Sequence, residues 1–346
     1  MAIAVLSEEL TDYLIRLYLA AGMSRRGART VAVAQVEADL RGVVGHGSRL
    51  APGYVAKLRS GHLTARPKMT RRSAGAGCLV LDADRAPGAL AVKHAVSFAA
   101  TGARCQGVAL VIVRNAGHAG ALGVGAAQLG RRGLVGVLAA QTSGPSVAVL
   151  GGPGTGLLGN SALAVAVPGP DPHRPVLLDM AAGSMSWGRL HEHARTGRQL
   201  PEGCALDQGG QPTRDPERAA VLLPSGERAQ ALVIVLELLV GALTGSPALP
   251  CGDEGRGLLC LAIDPARLGT GGQLAAAVAE VALALGEHGA RLPGQRAWSH
   301  HDHAAARGIR LAEPDLAALI AAGDPHVPPP PAWTTRHNDN STEVLL

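Results

Sequence analysis

Two histidines lie beside glycines, where a small substrate could reach the imidazole ring. His46 stands between Gly45 and Gly47, and His118 lies in the glycine-rich segment 117–120. The pKa of imidazole is normally close to neutrality, so either ring could pass a proton to or from a carbonyl that is being reduced. Each could also be an ordinary histidine in a turn. The sequence therefore offers two candidates for a proton carrier.

The position of each chemical group along predicted strands points to a crevice. The segment 114–120 follows an apolar strand and precedes a helix, a place where ligands and anions often bind in α/β proteins. Asp179 ends a second apolar run, 176–179. Burying that carboxylate without a partner would be costly. Asp179 could orient a catalytic histidine, hold a cofactor hydroxyl or cap the strand.

Other segments are weaker candidates for chemistry. Residues 300–303 read His-His-Asp-His, and His191 and His193 lie close together, but adjacent histidines in one short segment rarely complete a metal site. We therefore expect no metal. The glycine-rich segment 151–156 lacks the features of a P-loop or Rossmann fingerprint, which indicates a tight turn between strands. No Gly-x-Ser-x-Gly motif supports covalent hydrolysis.

The composition favours a folded protein with small anionic ligands. Of the 346 residues, 47% are hydrophobic and 17% are charged, which is typical of a globular chain. The net charge of +5 comes from scattered arginines without interleaved aromatics, so we expect no nucleic acid partner. A mild positive field would suit an anionic cofactor and an anionic substrate.

The sequence also predicts a cytoplasmic protein without membrane contacts. The five cysteines are an odd number, lie far apart and form no C-x-x-C pair, as expected in a reducing compartment. Glu8, Glu9 and Asp12 exclude a signal peptide at the N-terminus. The apolar run 231–243, interrupted by Glu237, is too short to span a bilayer and fits a buried helix.

The periodicity of the chain predicts an α/β protein. Two helices are expected within residues 7–40 and a third at 52–60, followed by strands at 78–81, 107–113, 134–140, 162–167, 176–179 and 257–264. Further helices are expected at 88–102, 120–130, 218–245 and 273–287, and a loop at 183–217. Four consecutive prolines, 328–331, predict an extended tail.

Taken in order, these segments resemble the type-2 malate/L-lactate dehydrogenase family over about residues 7–315. That family includes ureidoglycolate dehydrogenase, sulfolactate dehydrogenase and the piperideine-2-carboxylate/pyrroline-2-carboxylate reductases. The segments that carry the resemblance share its order and spacing: Glu-Ala-Asp-Leu-Arg-Gly-Val at 37–43, His-Gly at 46–47, Gly-His-Ala-Gly-Ala at 117–121, Leu-Asp-Met-Ala at 178–181, Trp-Gly-Arg at 187–189, Pro-Glu-Gly at 201–203 and Pro-Gly-Gln at 293–295.

The resemblance implies a non-Rossmann α/β fold, in which a mixed, largely antiparallel sheet binds the cofactor beside a helical domain, as in L-sulfolactate dehydrogenase. It further implies NADPH or NADH as cofactor and a homodimer with sites near the subunit interface. On this basis we expect a helical N-terminal part of the substrate and dimer domain at 1–75 and a dinucleotide-binding domain at 76–225. A C-terminal part at 226–325 packs back on both, and an extended tail follows at 326–346.

The resemblance also assigns roles to individual positions. His46 and His118 match the reacting histidines, with Asp179 in the acid–base site. The cofactor-binding positions are Thr142, Asp179, Met180, Ala181, Arg228, Gly294, Gln295 and Arg296. The chain departs from the family pattern at Gly45, where relatives have Ser, and at Leu50, where relatives have an Arg that resembles a carboxylate clamp.

The expected reaction is hydride transfer between NAD(P)H and a small 2-oxo acid, 2-hydroxy acid or cyclic imino acid. Arg49 lies one position before the missing clamp residue and is the candidate partner of the substrate carboxylate, because a guanidinium pairs with it through two hydrogen bonds. A second hypothesis is a catalytically altered family member that acts as a binding or structural scaffold. A third hypothesis, a metal hydrolase built on the histidine cluster, would require bound metal.

Overall fold

The structure is a computed structural model that describes residues 2–250, 252, 256–323, 325 and 327–333. It contains two compact units, which we name the helical unit (Met1–Arg66 with Ala297–Leu346) and the sheet unit (Pro67–Arg296). The predicted boundaries at 75, 225 and 325 differ from this division. A strand that begins at residue 70 joins the large sheet, and residues 256–263 form one of its inner strands.

The helices and strands of the described residues are numbered in chain order. The helices are α1 (Ser7–Ala20), α2 (Arg25–Leu40), α3 (Ala51–Arg59), α4 (Gly88–Gln106), α5 (Leu122–Gly130), α6 (Trp187–Arg195), α7 (Glu227–Val240), α8 (Gly271–Glu287), α9 (Gln295–Arg307) and α10 (Glu313–Gly323). The strands are β1 (Ala2–Val5), β2 (Thr70–Gly75), β3 (Cys78–Asp82), β4 (Val108–Ala116), β5 (Val135–Ala140), β6 (Val147–Ala148), β7 (Gly156–Leu158), β8 (Ala162–Val167), β9 (Val176–Ala181), β10 (Ala205–Asp207), β11 (Ala219–Leu222), β12 (Arg256–Ile263) and β13 (Ile309–Ala312).

The helical unit is built on the amphipathic pair α1 and α2. Helix α1 buries Leu10, Leu14 and Leu17 along one face, as its 3.6-residue period predicts. Helix α2 begins after Ser24, whose side chain accepts a hydrogen bond from the Gly27 amide at 3.2 Å. Helix α1 starts at Ser7, and Leu6 precedes it without a side-chain cap.

A strand from the start of the chain pairs with a late strand in the helical unit. Strand β1 pairs antiparallel with β13. The predicted extended tail at 326–346 is wrong at 331–333, which are helical. The Pro328 carbonyl accepts from Arg16, and the buried Trp333 ring packs 4.9 Å from that of Tyr13. Residues 334–346, the rest of that predicted tail, lie outside the described residues.

The sheet unit confirms the predicted fold class. Among the described residues its large sheet has the order β2-β3-β4-β12-β5-β8-β9, in which β3 and β4 are parallel and every other neighbouring pair is antiparallel. A smaller sheet has the order β10-β11-β6-β7. Strand β12 is buried at Leu258, Cys260 and Ala262, as expected of an inner strand.

Three sequence-based assignments need correction. The predicted loop at 183–217 contains α6, which the Ser186 side chain caps by accepting from the Arg189 amide, and also contains β10. Residues 219–222 form β11 rather than helix, because pairing with β10 and β6 overrides the helix propensity of alanine. Helix α7 is buried on one side only: Ile234, Val235, Leu238 and Leu239 are exposed.

Two further features bear on the predictions made from sequence. The glycine-rich segment 151–156 connects the antiparallel strands β6 and β7, which confirms the tight turn. In the part of the chain that the structure describes, no helix is both long and apolar enough to cross a membrane.

Candidate active site

The first candidate group lies in the helical unit, on two short 3-10 turns that follow α2. These turns cover Val44–His46 and Ser48–Leu50, so they carry both His46 and Arg49. The carboxylate of Asp39, near the end of α2, accepts a hydrogen bond from the Ser48 amide at 2.8 Å between Oδ2 and N. Asp39 is only 2% exposed. A buried carboxylate thus anchors the segment that presents the candidate histidine.

Gly47 is a glycine because the Asp39 carboxylate occupies the space of a side chain. A Cβ atom placed on Gly47 would lie 1.7 Å from Oδ1 of Asp39. No real contact is that short, so any other residue would displace either the turn or the carboxylate. The sequence analysis attributed this glycine to substrate access, whereas in the structure it makes room for Asp39.

Charges in this group act on one another. Burial, followed by the positive charge of Arg49, lowers the pKa of His46 below its usual value, so the ring is neutral at pH 7. Burial raises the pKa of Asp39 to about 7, and its hydrogen bonds with Ser48 and the charge of Arg49 oppose that rise. The Nη1 atom of Arg49 is buried without a hydrogen-bond partner among the described residues. An anion could satisfy it.

The raised pKa of Asp39 predicts a pH-dependent stability. In the folded chain this group titrates near pH 7 rather than near its usual 3.8, so between these values the folded protein binds more protons than the unfolded chain. The stabilisation is therefore complete below about pH 4 and is lost as the pH rises through 7. The difference in unfolding free energy between wild type and Asp39→Asn, from urea titrations, should fall over this window. Parallel pH curves would contradict this assignment.

The second candidate group lies in the sheet unit, where the chain leaves β4. Asn115 has a left-handed backbone with φ +53, and the chain then passes through His118. The Gly88 amide, at the start of α4, donates to the His118 carbonyl at 3.1 Å. A Cβ on Gly88 would lie 2.4 Å from that carbonyl oxygen, so only glycine allows this approach. Backbone strain held in place by close packing is common at functional sites.

Asp179 lies on β9, which is an edge strand of the large sheet among the described residues. Its Oδ2 accepts from the Gly123 amide at 2.9 Å, and Gly123 is in the first turn of α5. The carboxylate therefore occupies a helix N-terminus, where backbone amides and the helix dipole stabilise a negative charge. Asp179 is exposed, so no cost of burying its charge arises.

Asp179 and the His118 segment flank the same short region. Residues 117–121 run directly into α5, and Asp179 binds the first turn of that helix. A Cβ on Gly123 would lie 2.6 Å from Oδ2 of Asp179, so this contact also requires glycine. The structure thus places two of the three proposed catalytic residues around the start of α5. His46 belongs to the helical unit.

Four of the eight proposed cofactor residues lie where β5 and β9 end, on the same side of the large sheet's strands. Thr142 follows β5, and Met180 and Ala181 end β9 beyond Asp179. Oγ1 of Thr142 is buried and has no hydrogen-bond partner among the described residues. Gly294, with φ +91, packs against Leu177 of β9.

The remaining proposed cofactor residues are exposed. Arg228 is in the first turn of α7, and Arg296 and Gln295 are in the first turn of α9. Oε1 of Gln295 accepts a hydrogen bond from the Leu292 amide at 2.9 Å. The side chains of Arg228 and Arg296 are therefore accessible to an anionic ligand.

The structure adds polar residues that the sequence analysis did not assign. Asp39 anchors the His46 segment, and Glu237, buried at 2% exposure, receives hydrogen bonds from Ser161 and Gln141. The single sequence signal for Glu237 is a carboxylate inside an apolar run. Asp39 gave no signal of its own, because its partner is revealed only by the fold of the following turn.

The histidine clusters take part in ordinary contacts. In the described residues no three His, Cys, Asp or Glu side chains come together as metal ligands would. His300 interacts with the Leu40 carbonyl at 2.8 Å through Nδ1, and His301 lies 3.5 Å from Glu37. His193 likewise contacts the Gln199 carbonyl at 2.8 Å.

Comparison with known proteins shows the family of the chain. Residues 5–320 match the family described as malate/L-lactate dehydrogenase. The chain belongs to this family. The Δ1-pyrroline-2-carboxylate reductase of Ancylobacter novellus is 32% identical to this chain over 320 residues. The match covers 88% of this chain and 93% of the relative.

Two more relatives extend the comparison. The sulfolactate dehydrogenase structure from Methanocaldococcus jannaschii superimposes with a TM-score of 0.83 at 25% identity, covering 93% of this family member and 97% of that chain. An NAD+-dependent ureidoglycolate dehydrogenase from Escherichia coli is 33% identical over 228 residues, 66% of this chain. That match spans only 64% of the length of the ureidoglycolate dehydrogenase.

Proposed function

We propose that this protein is an NAD(P)H-dependent oxidoreductase that transfers hydride to or from a small 2-oxo acid, 2-hydroxy acid or cyclic imino acid. One observation carries the proposal: Thr142 and Asp179 lie where β5 and β9 of the large sheet end, in a member of the malate/L-lactate dehydrogenase family. The relatives are named as dehydrogenases and reductases, so the scaffold alternative has no support from them.

The residues where β5 and β9 end fit a nicotinamide dinucleotide. The buried hydroxyl of Thr142, which has no partner among the described residues, offers a hydrogen bond, and the exposed Asp179 and Met180 lie at the end of β9. Arg228 and Arg296 are exposed cations suited to phosphate groups. When bound, the nicotinamide supplies or accepts the hydride.

Arg49 is the proposed partner of the substrate carboxylate. Its buried Nη1 atom lacks a hydrogen-bond partner among the described residues, and a carboxylate would satisfy it. Leu50, where relatives have arginine, leaves Arg49 as the cation on this turn. Pairing would also remove the effect of the Arg49 charge on His46, so the His46 pKa would rise when an anionic substrate binds.

Two histidines are proposed for proton transfer. The lowered pKa of His46 keeps its ring neutral, which suits a group that accepts a proton from a hydroxyl substrate. His118 lies at the start of α5, near the carboxylate that caps this helix. We propose that His118 works beside Asp179 in the sheet unit. His46, with Arg49 on the next turn of the helical unit, is the alternative proton carrier.

The test is a titration followed by an activity screen. NADH and NADPH are added to the protein while nicotinamide fluorescence is recorded. The cofactor that binds is then assayed with pyruvate, oxaloacetate, sulfopyruvate, Δ1-pyrroline-2-carboxylate and Δ1-piperideine-2-carboxylate, and NAD+ or NADP+ with ureidoglycolate. Turnover of at least one compound supports the proposal. Absence of binding by both nucleotides at millimolar concentration would contradict it.

We also propose that the protein is a cytoplasmic homodimer. The four described cysteines, Cys78, Cys105, Cys204 and Cys260, form no disulfide, as expected of a reducing compartment. Helix α7 exposes an apolar outer face of Ile234, Val235, Leu238 and Leu239, which are 39–53% exposed. Contiguous apolar faces of this kind are typical of obligate interfaces, and a two-fold axis would bury both copies together.

The dimer proposal predicts a change in mass on substitution. Val235→Glu/Leu238→Glu places two carboxylates in the proposed interface, where their burial would be costly, so sedimentation equilibrium should show a monomer. Val33→Glu, a matched change at an exposed apolar position of α2 (46% exposed), should leave the dimer intact. A monomeric wild type, or an unchanged mass in the double variant, would contradict this interface.

A further inference from the structure

The carboxylate of Glu237 is buried close to Thr142, which is proposed to bind the cofactor. Oε1 of Glu237 accepts from Oγ of Ser161 at 2.6 Å, and Oε2 accepts from Nε2 of Gln141 at 3.3 Å. The Gly159 amide donates to the same carboxylate. Burial raises the pKa of Glu237, and these three hydrogen bonds oppose the rise. Such a cluster is rigid, because each donor has a defined place around the carboxylate.

Gln141 connects Glu237 to the proposed cofactor contact. Its backbone amide donates to the Gly257 carbonyl on β12 at 3.0 Å, and its side chain also donates to the Pro247 carbonyl at 2.8 Å. Both ends of the residue are therefore held. Thr142 is the next residue, so the position of its backbone follows from that of Gln141.

Thr142 and Glu237 also share the space above Gly159. A Cβ on Gly159 would lie 2.6 Å from Oε1 of Glu237 and 2.9 Å from Oγ1 of Thr142. The two oxygen atoms thus border one cradle that only glycine leaves open. Oγ1 of Thr142 is buried and unpaired in the described part of the chain. A buried hydroxyl without a partner needs an explanation, and a bound ligand supplies one.

Ser161 links Glu237 to the second cofactor segment. Strand β8 starts one residue after Ser161 and pairs with β5 on one side and β9 on the other, with Ala162 opposite both Ala140 and Ala181. The Ser161 carbonyl accepts from the Ala182 amide at 2.9 Å. Glu237 is therefore connected to the end of β9, where Asp179 to Ala181 lie.

Asn160 strengthens this link from the neighbouring position. Its Oδ1 accepts from the Gly183 amide at 2.9 Å, and its Nδ2 donates to the Met185 carbonyl at 2.8 Å. The chain that follows β9 is thereby held at three points by two consecutive residues, Asn160 and Ser161.

We propose that Glu237 is a positioning residue that holds the Thr142 hydroxyl and the end of β9 in the arrangement that binds the nicotinamide cofactor. It acts through Gln141 and Ser161 and is not itself a catalytic residue. This inference rests on the proposed function, because it requires that Thr142 contact the cofactor.

A double-mutant cycle tests the inference through cofactor binding alone. The Kd of NADH and of NADPH is measured by nicotinamide fluorescence for wild type, Glu237→Gln, Thr142→Val and the double variant. The glutamine cannot accept from both Ser161 and Gln141, so Glu237→Gln should weaken binding about tenfold, the loss of one hydrogen bond. Thr142→Val should weaken it about as much, and the double variant should bind no more weakly than Thr142→Val.

Leu236→Ala is the matched control. Leu236 is buried on the same helix at 3% exposure and packs in the apolar core. This change should lower the melting temperature without changing the Kd, because it removes packing and leaves the polar cluster in place. The control separates a loss of stability from a loss of positioning.

The outcomes are distinct. Wild type that binds neither nucleotide overturns the proposed function and this inference with it. Wild type that binds, together with an unchanged Kd in Glu237→Gln or with penalties that multiply in the double variant, overturns this inference alone. If Glu237→Gln does not fold, Ser161→Ala takes its place in the cycle, with the same pattern expected and the same two results against it.

Discussion

Replacement of His118 by alanine should lower kcat by about 10²–10⁴-fold, the usual contribution of a positioned proton carrier. His118 lies at the entry to α5, and the Asp179 carboxylate caps that helix through the Gly123 amide. The segment is held by backbone hydrogen bonds that the imidazole does not make, including the one from the Gly88 amide to the His118 carbonyl. Removal of the imidazole should therefore leave the fold intact.

His46→Ala should cause a loss of the same order, with a different pH profile. The ring of His46 is neutral at pH 7 because burial and Arg49 lower its pKa, so activity that depends on His46 as a base should extend to lower pH than an ordinary histidine allows. In His46→Ala that acidic limb should disappear. His173→Ala, a change at an exposed histidine of the sheet unit, is the control and should keep wild-type kcat. If kcat survives in both His46→Ala and His118→Ala, neither ring carries the proton.

Among glycine-to-alanine changes in the helical unit, Gly47→Ala should lower the unfolding free energy most. The added Cβ would lie 1.7 Å from Oδ1 of Asp39, so the carboxylate must leave its place and the Ser48 amide loses its acceptor. Overpacking together with a broken buried hydrogen bond should lower the unfolding free energy by about 2–4 kcal/mol. Because His46 and Arg49 lie on the same turns, kcat should fall with it.

Gly53→Ala provides the comparison for that experiment. Gly53 is a helical residue of α3, and a Cβ there would meet nothing within 4 Å. The change should stabilise the protein by up to about 1 kcal/mol, since alanine favours helix over glycine. Urea titrations of both variants and the wild type measure the effect. Equal stability of Gly47→Ala and wild type would show that Asp39 does not occupy this space.

Local sequence patterns predicted much of the sheet unit. Strand Ala162–Val167 was assigned at its observed bounds because an apolar β-branched run between turns has few alternatives. The pattern failed where pairing partners are distant or the segment is polar. Strands β1 and β13 pair although about 300 residues separate them, and α6 depends on the Ser186 cap in a segment rich in turn residues.

In the candidate site, too, the sequence identified some residues and missed their partners. His46 and His118 were identified because glycines flank them, and Asp179 because it ends an apolar run. Their partners were not, since the Asp39–Ser48 contact depends on the turn geometry, and Glu237 meets residues 76 and 96 positions away. Propensity and periodicity describe neighbours in sequence, whereas these contacts exist only after the chain has folded.

The central proposal is that Thr142 and the end of β9 bind a nicotinamide cofactor and that an imidazole passes the proton. A crystal structure with NADH or NADPH and an unreactive oxo-acid analogue tests it most directly. We expect the dinucleotide against Thr142 and the end of β9, and an imidazole within hydrogen-bond distance of the analogue's oxo group near C4 of the nicotinamide. A cofactor bound elsewhere, with both imidazoles remote from C4, would contradict the account.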